Sequence, residues 1–261
     1  MGVIETVLGP VGLDLRGQGG TPLLFLHGVG SDRSAWLPQL ERFGAERLTL
    51  AIDYPGYGES ALRHGATRSD FASTALAVLD ALGIEQVHVC GLSLGGVVAL
   101  CMHAAAPHRI ASLVLADTFA VHPEGRAIRD RSLAAAEELG MRGLAEARAE
   151  ALLAAPADPH VRHKVIETMS RIDPAAYALA AEAVWLADLR EEAAAVRCPT
   201  LVLCGSEDRI TPPDLSLALK TLIPDAGLIE IAGAGHLPNL EQPANFNRVL
   251  ALFLAQVEGQ G

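Results

Sequence analysis

Short apolar runs alternate with amphipathic helical segments along most of this chain, and this alternation restricts the fold more than any other feature. Each run has four or five residues and almost no polar side chain, as expected of strands buried on both faces of a sheet. The runs are Leu23–His27, Leu48–Ile52, Val87–Cys90, Leu113–Ala116 and Leu201–Cys204. Strands that alternate with helices predict an α/β fold, in which right-handed crossovers cover both faces of a mostly parallel sheet.

Two of the helical segments have recognisable ends. The segment Thr67–Leu82 starts with a capping box formed by Thr67 and Asp70, and Gly83 ends it. The last helix is predicted to begin near Pro243, and its apolar stripe consists of Phe246, Val249, Leu250 and Phe253. Both helices are therefore expected to pack one face against the sheet.

The alternation stops after Asp117 and resumes at Cys198. The segment 119–196 contains no predicted strand and is rich in Ala, Glu and Arg. Glycines and prolines divide it into about four short helices, with breaks predicted at Pro123, Gly140, Gly143, Pro156, Pro159 and Pro174. Alanine-rich helices offer little apolar bulk, so we expect them to lie over another part of the molecule. The sequence thus predicts a first core part at residues 1–118, a helical cap at 119–196, and a second core part at 197–261.

The charge balance and the cysteines exclude several classes of protein. The net charge of −11 disfavours a nucleic-acid partner, which would require a basic stripe to contact phosphates. No apolar run reaches the ~18 residues that span a bilayer, and no signal segment is recognisable, so we expect a cytoplasmic protein with no membrane partner. The four cysteines lie in apolar runs without metal-ligand spacing, which predicts reduced thiols and no metal site.

The strongest motif for chemistry is Gly-x-Ser-x-Gly at residues 91–95, which follows the predicted strand Val87–Cys90 directly and leads into the helical run Val97–Ala106. In that context the motif forms a sharp turn, and the small neighbours let the strand and the helix pass closely. The turn exposes the Ser93 hydroxyl at the carboxyl edge of the sheet and at a helix N-terminus, where negative charge is favoured. Ser93 is therefore predicted to be a nucleophile.

A serine needs a base and an orienting acid to become a good nucleophile, and the chain offers both downstream. Asp208 follows the strand Leu201–Cys204, and His236 lies in a glycine-framed loop after another predicted strand. Catalytic groups of parallel sheets gather in such loops, so we expect Ser93, Asp208 and His236 to form a triad. Glu207 and Asp117 remain the alternative acids.

The loop His27–Gly30, which ends the strand before it, is placed to stabilise an oxyanion. We expect the backbone amides of Val29 and Leu94 to donate to it, each such donor being worth roughly 2.7–4 kcal/mol in the transition state. His27 is interpreted as structural, because its ring can hydrogen-bond its own loop. The turn Asp53–Ser60 is expected to form a rigid wall of the site.

Three further residues are candidates to contact a substrate. Tyr57 belongs to the rigid turn, whereas Trp185 and Arg126 lie in the predicted cap. The alternative for the cap residues, including the neighbouring Arg129 and Arg131, is an ordinary solvated helix face.

Taken in order, these motifs resemble the α/β-hydrolase superfamily. The likeness runs from about residue 20 to 255 and leaves 119–196 where that superfamily has its cap. The segments Asp188–Glu191, Gly205–Pro213 and Gly235–Pro243 are similar to those of 3-oxoadipate enol-lactonases, which hydrolyse a carboxylate-bearing enol lactone. The chain departs from many lactonases at His27-Gly28, where they have a polar Asn-Ser-type loop, and at Tyr54-Pro55, where Thr-Arg is common.

The resemblance implies a hydrolase that acts on a small-molecule ester or lactone through an acyl-enzyme and uses no metal or organic cofactor. Three alternatives share the same motifs. One is a carbon–carbon bond hydrolase of the meta-cleavage-product type, and another is a carboxylesterase with broad tolerance for small acyl groups. The third is a receptor that retains the triad but only binds its ligand.

Overall fold

The fold is an eight-stranded sheet covered by helices, as a computed structural model that describes residues 2–259 shows. The strands are β1 (Gly2–Thr6), β2 (Gly9–Arg16), β3 (Leu23–Leu26), β4 (Thr49–Ile52), β5 (Val87–Leu92), β6 (Ile110–Ala116), β7 (Thr200–Gly205) and β8 (Gly227–Ile231). Their order across the sheet is β1-β2-β4-β3-β5-β6-β7-β8. The β1–β2 and β2–β4 pairs are antiparallel, whereas every pair from β4 to β8 is parallel. The predicted α/β architecture is confirmed.

Ten α-helices connect the strands within the described residues. They are α1 (Leu37–Phe43), α2 (Arg68–Ala81), α3 (Leu94–Ala105), α4 (Gly125–Leu152), α5 (Pro159–Ser170), α6 (Pro174–Trp185), α7 (Arg190–Ala194), α8 (Pro213–Leu222), α9 (Pro238–Glu241) and α10 (Pro243–Glu258). Single turns of 3-10 helix occupy Arg33–Trp36 and Pro107–Arg109. None of these helices combines the length and apolar character needed to cross a bilayer.

The core lies around the central strands, because their side chains are covered on both faces. Every residue of β3, β4, β5 and β7 is buried, which agrees with their continuous apolar sequence. In the parallel register, Leu26 pairs with Gly91 and Leu92 pairs with Ala116. The carboxyl ends of β3, β5 and β6 consequently meet at one edge of the sheet, and the loops that follow them lie side by side.

The predicted helix ends are largely correct. Both hydrogen bonds of the Thr67–Asp70 capping box are present at the start of α2, and Gly83 follows the helix with φ of 65°. In α10 the stripe of Phe246, Val249 and Leu250 is buried, but its fourth member is Leu254. Phe253 is only half-buried, because Leu254, four residues after Leu250, takes the buried position on this face of the helix.

The four helices α4–α7 lie between β6 and β7 in the chain, in the segment predicted to be helical. Gly140, with φ of 67° and ψ of 171°, interrupts α4 and separates two helical pieces. The predicted break at Gly143 is wrong, because this glycine stays within the helix. An isolated antiparallel bridge between Val121 and Asp188 joins the two ends of the insertion. The alanines of α6 are mostly buried, which lets this helix pack against α3.

The cysteines behave as expected. Cys90 and Cys204 are buried, Cys101 and Cys198 are half-buried, and all four are free thiols.

Candidate active site

Ser93 occupies a strained turn between β5 and α3. Its φ of 56° and ψ of −114° lie in a region that a residue with a side chain seldom adopts, at a cost of about 1–3 kcal/mol. Glycines on both sides make the turn possible. A Cβ at Gly91 would stand 2.2 Å from the Gly95 carbonyl oxygen, and one at Gly95 would stand 2.1 Å from that of Leu26. Only glycine lets the helix cross the strands at this distance.

Hydrogen bonds hold the backbone of the turn. The Ser93 amide donates to the Ala116 carbonyl oxygen over 2.9 Å, and the Thr118 hydroxyl donates to the Ser93 carbonyl oxygen over 2.8 Å. Both partners come from the end of β6 or the residues after it, so the neighbouring strand fixes the elbow. The Ser93 side chain is left at the wall of a cavity.

Asp208 and His236 are brought together as predicted. The imidazole Nδ1 of His236 lies 2.8 Å from Asp208 Oδ2, and both side chains are buried. The second Asp208 oxygen accepts from the amides of Ile210 at 2.7 Å and Thr211 at 3.1 Å, and the Thr211 hydroxyl donates to Oδ2 over 2.6 Å. The carboxylate thus has a fixed orientation toward the imidazole. Glu207, the neighbouring alternative acid, is exposed.

These contacts determine the charge of Asp208. Burial alone would raise the pKa of its carboxyl, but the attraction of His236 and the hydrogen bonds from His236 and Thr211 outweigh burial and lower it. Asp208 is therefore an ionised acceptor that can fix the imidazole tautomer.

The other alternative acid, Asp117, lies beside this pair but in a different state. Its Oδ1 accepts from the Gly205 amide over 2.8 Å, and ligand atoms of Asp117, Asp208 and His236 lie within 4.8 Å of one another. Complete burial, followed by the nearby Asp208 charge, raises the pKa of the Asp117 carboxyl well above its usual value. The pKa values of the two neighbouring carboxyls are thus shifted in opposite directions. The spacing would also suit a metal ion, but here His236 Nδ1 is engaged by Asp208.

The loop of His236 is tied to the end of α4. The His236 amide donates to the Leu152 carbonyl oxygen over 2.7 Å. Glu241 holds the same loop, because its carboxylate accepts from the Gly235 amide at 3.0 Å and from the Ala154 amide at 2.7 Å. Sequence reasoning missed this role of Glu241; the one available signal was a carboxylate next to the glycine-framed histidine.

One cavity is lined by four of the candidate residues. Ser93, His236, Val29 and Trp185 all line it, whereas Asp208 lies behind the imidazole. The core also contributes Gly28, Gly30, Ser31, Ala35, Leu92, Leu237 and Leu240 to the wall, and the inserted helices contribute Arg148, Leu152, Lys164, Val165, Thr168 and Met169. The insertion therefore forms a large part of the lining. Trp185 is the one residue of the insertion that was both predicted to contact a substrate and found in the cavity wall. The others were missed, because helical periodicity does not say which helix faces the cavity.

The two predicted oxyanion donors lie in different segments of the chain, Leu94 directly after Ser93 and Val29 in the loop after β3. Leu94 is the first residue of α3, whose early amides have no partner inside the helix, and Val29 lines the cavity. In the part of the chain that the structure describes, no hydrogen bond uses either amide.

His27 has the structural role predicted for it. Its Nδ1 donates to the Gly28 carbonyl oxygen over 2.9 Å. Burial lowers the pKa of the His27 imidazole, despite the opposing charge of Asp53, so the ring is neutral.

Within the described residues, the lining of this cavity includes neither Tyr57 nor Arg126. Tyr57 is fully buried, and the centroid of its ring lies 5.1 Å from the centroid of the His27 ring. Arg126 lies in a separate surface groove that is also lined by Val121 and Asp188. The structure therefore places Tyr57 in the core and Arg126 on the outside of the inserted helices.

The chain belongs to the alpha/beta hydrolase family, whose model matches residues 23–249. It is 28% identical to 3-oxoadipate enol-lactonase 1 of Acinetobacter baylyi over 90% of this chain and 89% of that protein. It is 34% identical to the dihydrolipoyllysine-residue acetyltransferase component of the acetoin cleaving system of Pseudomonas putida, over 92% of this chain but only 65% of that protein. The structure of a thermophilic esterase from Thermogutta terrifontis, with malate bound, has a TM-score of 0.90, 30% identity and 98% coverage of both chains.

The family and the sheet define this protein as an enzyme of the α/β-hydrolase type. The resemblance to enol-lactonases that the motifs indicated is confirmed.

Proposed function

We propose that this chain is a serine hydrolase that cleaves a carboxylic ester or a lactone of a small molecule. The observation that carries the proposal is the cavity shared by Ser93 and His236, together with the hydrogen bond from His236 to Asp208. A strained serine, a base and an orienting carboxylate are the parts that acyl transfer requires. The likeness to an enol-lactonase and to an esterase supports the same class of reaction.

In the acylation step, the Ser93 oxygen attacks the substrate carbonyl carbon while neutral His236 accepts the hydroxyl proton. Asp208 stabilises the resulting imidazolium without taking up the proton itself. The negative charge that develops on the carbonyl oxygen is stabilised by the amides of Val29 and Leu94. His236 then donates its proton to the leaving alcohol or enol oxygen, and an acyl-enzyme remains.

In the deacylation step, His236 accepts a proton from water, and the hydroxide attacks the acyl carbon. Collapse of the second tetrahedral intermediate returns the proton to Ser93 and releases the acid. For a lactone, the leaving oxygen stays attached to the acyl group, so a single hydroxy or oxo acid is released. The proposed cycle needs no cofactor.

Within this function we assign residues 119–196 to a lid over the cavity. Their side chains form a large part of its wall, so the lid is expected to contact the part of the substrate that lies away from the reacting carbonyl. Among candidate substrates we favour an enol lactone, because the enol-lactonase of Acinetobacter baylyi matches nearly the whole chain.

The proposal is tested by labelling with a fluorophosphonate and by a substrate panel. The probe is expected to modify Ser93, as peptide mass spectrometry would show, and Ser93→Ala should lower kcat by about 10⁴-fold or more. Ser73→Ala is the matched control, since that serine is exposed on α2 and bonds only within its own helix. A Ser93→Ala variant with wild-type turnover would overturn the proposal.

The panel consists of enol lactones, p-nitrophenyl esters and vinylogous diketo acids. Preferred turnover of enol lactones supports the lactonase, whereas turnover of activated short esters alone would indicate a broad carboxylesterase. Turnover of the diketo acids alone would indicate a carbon–carbon bond hydrolase. Tight binding with no turnover would indicate a receptor.

A further inference from the structure

We infer that Thr211 is a positioning residue for the pair formed by Asp208 and His236. Its hydroxyl holds the Asp208 carboxylate in place and offsets part of its negative charge, and in this way sets the pH below which the imidazole is protonated and hydrolysis stops. The inference rests on the proposed function for the role of His236 as the base. It adds a residue that acts through Asp208 and is not among the described residues that line the cavity.

Thr211 is held beside Asp208 by its own backbone. It lies three residues after Asp208, in the loop between β7 and α8, and the residue is fully buried. The amides of Ile210 and Thr211 donate to Asp208 Oδ1, so the loop folds back on the carboxylate. Pro212 favours extended conformations for the residue before it, and a β-branched side chain has few rotamers. The hydroxyl therefore reaches Asp208 with little loss of conformational entropy.

The Oδ2 atom of Asp208 is shared by two donors. The Thr211 hydroxyl donates to this oxygen over 2.6 Å, and His236 Nδ1 lies 2.8 Å from the same oxygen. The hydroxyl oxygen is in turn 3.3 Å from His236 Nδ1, so the three groups are in mutual contact. Because the hydroxyl proton offsets part of the negative charge on Oδ2, the carboxylate attracts a positively charged imidazole less strongly than it would alone.

Burial makes this effect larger than it would be in water. Asp208, Thr211 and His236 are all buried, so little solvent screens the interactions among them. The amides of Ile210 and Thr211 are bound to the other carboxylate oxygen. A change of the Thr211 hydroxyl to a methyl group should therefore keep the carboxylate in its loop but increase the charge that Oδ2 presents to the imidazole.

Other ionisable groups also face this pair from the elements around it. They are Cys204 of β7, Asp117 after β6, Glu241 of α9 and, on the cavity side, Arg148 of α4 and Lys164 of α5. All of them are retained when threonine is replaced by valine, which has the same shape. A difference in pH dependence between the two chains therefore reports the hydroxyl itself.

The test is the pH dependence of kcat/KM for wild type and Thr211→Val. The substrate is p-nitrophenyl methyl adipate, which has no group that titrates, and release of p-nitrophenol is followed at its isosbestic wavelength. In Thr211→Val the midpoint of the acid limb should move upward by about 0.5 pH unit or more, because Asp208 then stabilises the imidazolium more strongly. On the plateau kcat should fall less than about tenfold, and KM should not change.

Two further variants act as controls. Thr211→Ser keeps the hydroxyl and should restore the midpoint of the wild type. Thr74→Val removes another buried threonine hydroxyl, which donates to the Asp70 carbonyl oxygen within α2, and should leave the profile unchanged. If Thr211→Val does not fold, Thr211→Ala removes the same group. An unchanged or lowered midpoint without the hydroxyl, or the same shift in Thr211→Ser or Thr74→Val, would overturn the inference.

Nuclear magnetic resonance of chains with ¹⁵N-labelled histidine separates this inference from the proposed function. The titration of His236, assigned by its loss in His236→Gln, is followed without substrate in Ser93→Ala and in Ser93→Ala combined with Thr211→Val. The midpoint should again be higher without the Thr211 hydroxyl, even if no ester is hydrolysed. Ester hydrolysis with equal titration midpoints would leave the proposed function intact and exclude this role of Thr211.

Discussion

The edge of the sheet and the lid contribute to the same cavity, but they are constructed differently. At the sheet edge, Ser93 and Asp208 follow buried parallel strands, and backbone hydrogen bonds fix the loops that carry them. In the lid, Arg148, Lys164 and Trp185 lie on the helices α4, α5 and α6, and a side-chain bond from Lys164 to the Ser34 carbonyl oxygen links α5 to the core. In the proposed mechanism the sheet edge holds the reacting groups, whereas the lid contacts the rest of the substrate.

This difference implies that substitutions in the two regions should change different kinetic constants. Loss of a sheet-edge group should lower kcat, because the group acts on the reacting atoms. Loss of a lid side chain should change KM or the choice of substrate, because it contacts the remainder of the molecule.

The largest effect is expected at Asp208. Asp208→Asn should lower kcat by about 10⁴-fold, because the imidazole loses the acceptor that fixes its tautomer. The measurement is steady-state hydrolysis of p-nitrophenyl methyl adipate.

Asp117→Asn is the matched comparison, since Asp117 lies on the adjacent strand end and is also buried. Asparagine can replace a protonated carboxyl, so kcat should fall less than about tenfold. A larger loss of kcat in Asp117→Asn than in Asp208→Asn would mean that Asp117, and not Asp208, is the acid that orients His236.

An intermediate effect is expected from the two tryptophans of the chain. Trp36 stacks on Phe25 in the core, with 4.8 Å between the ring centroids. Trp185 stacks on Phe119 in the lid, with 5.8 Å between the ring centroids. Either substitution by alanine should reduce the free energy of unfolding by about 3–5 kcal/mol, as urea titration would measure. Only Trp185→Ala should also raise KM, by about tenfold, since Trp185 alone of the two lines the cavity. An equal rise of KM in Trp36→Ala would remove the distinction between core and lid.

The smallest effect concerns the charge of Asp117 in the folded protein. When folding raises the pKa of a carboxyl, as it does for Asp117, the protonated group contributes stability at low pH. That contribution is lost as the pH rises from the unfolded pKa toward the folded pKa. Asp117→Asn removes this dependence. Relative to the wild type, its free energy of unfolding should therefore increase above about pH 4, by up to about 1.4 kcal/mol per pH unit.

Asp188→Asn serves as the comparison for this titration. Hydrogen bonding to Arg190 lowers the pKa of this exposed carboxyl, so the wild-type advantage should instead disappear on acidification. A pH-independent difference between Asp117→Asn and the wild type would mean that Asp117 is ionised in the folded state.

The sequence alone determined the sheet and the position of Ser93 in its turn, because both depend on local pattern. Continuous apolar runs require burial on two faces. The close crossing of strand and helix beside Ser93 requires residues without a Cβ, which Gly91 and Gly95 supply. The loops of Asp208 and His236 follow from the same rule, since parallel strands end at one edge.

Only the tertiary structure decided which lid side chains face the cavity and in which direction the pKa of each buried carboxyl shifts. The positions of Arg148 and Lys164 depend on how α4 and α5 pack over the core, which helical periodicity does not specify. The raised pKa of the Asp117 carboxyl results from complete burial and from the nearby charge of Asp208, a residue far from Asp117 in the chain. Local pattern sets where strands and turns form, but electrostatics depends on distances that exist only after folding.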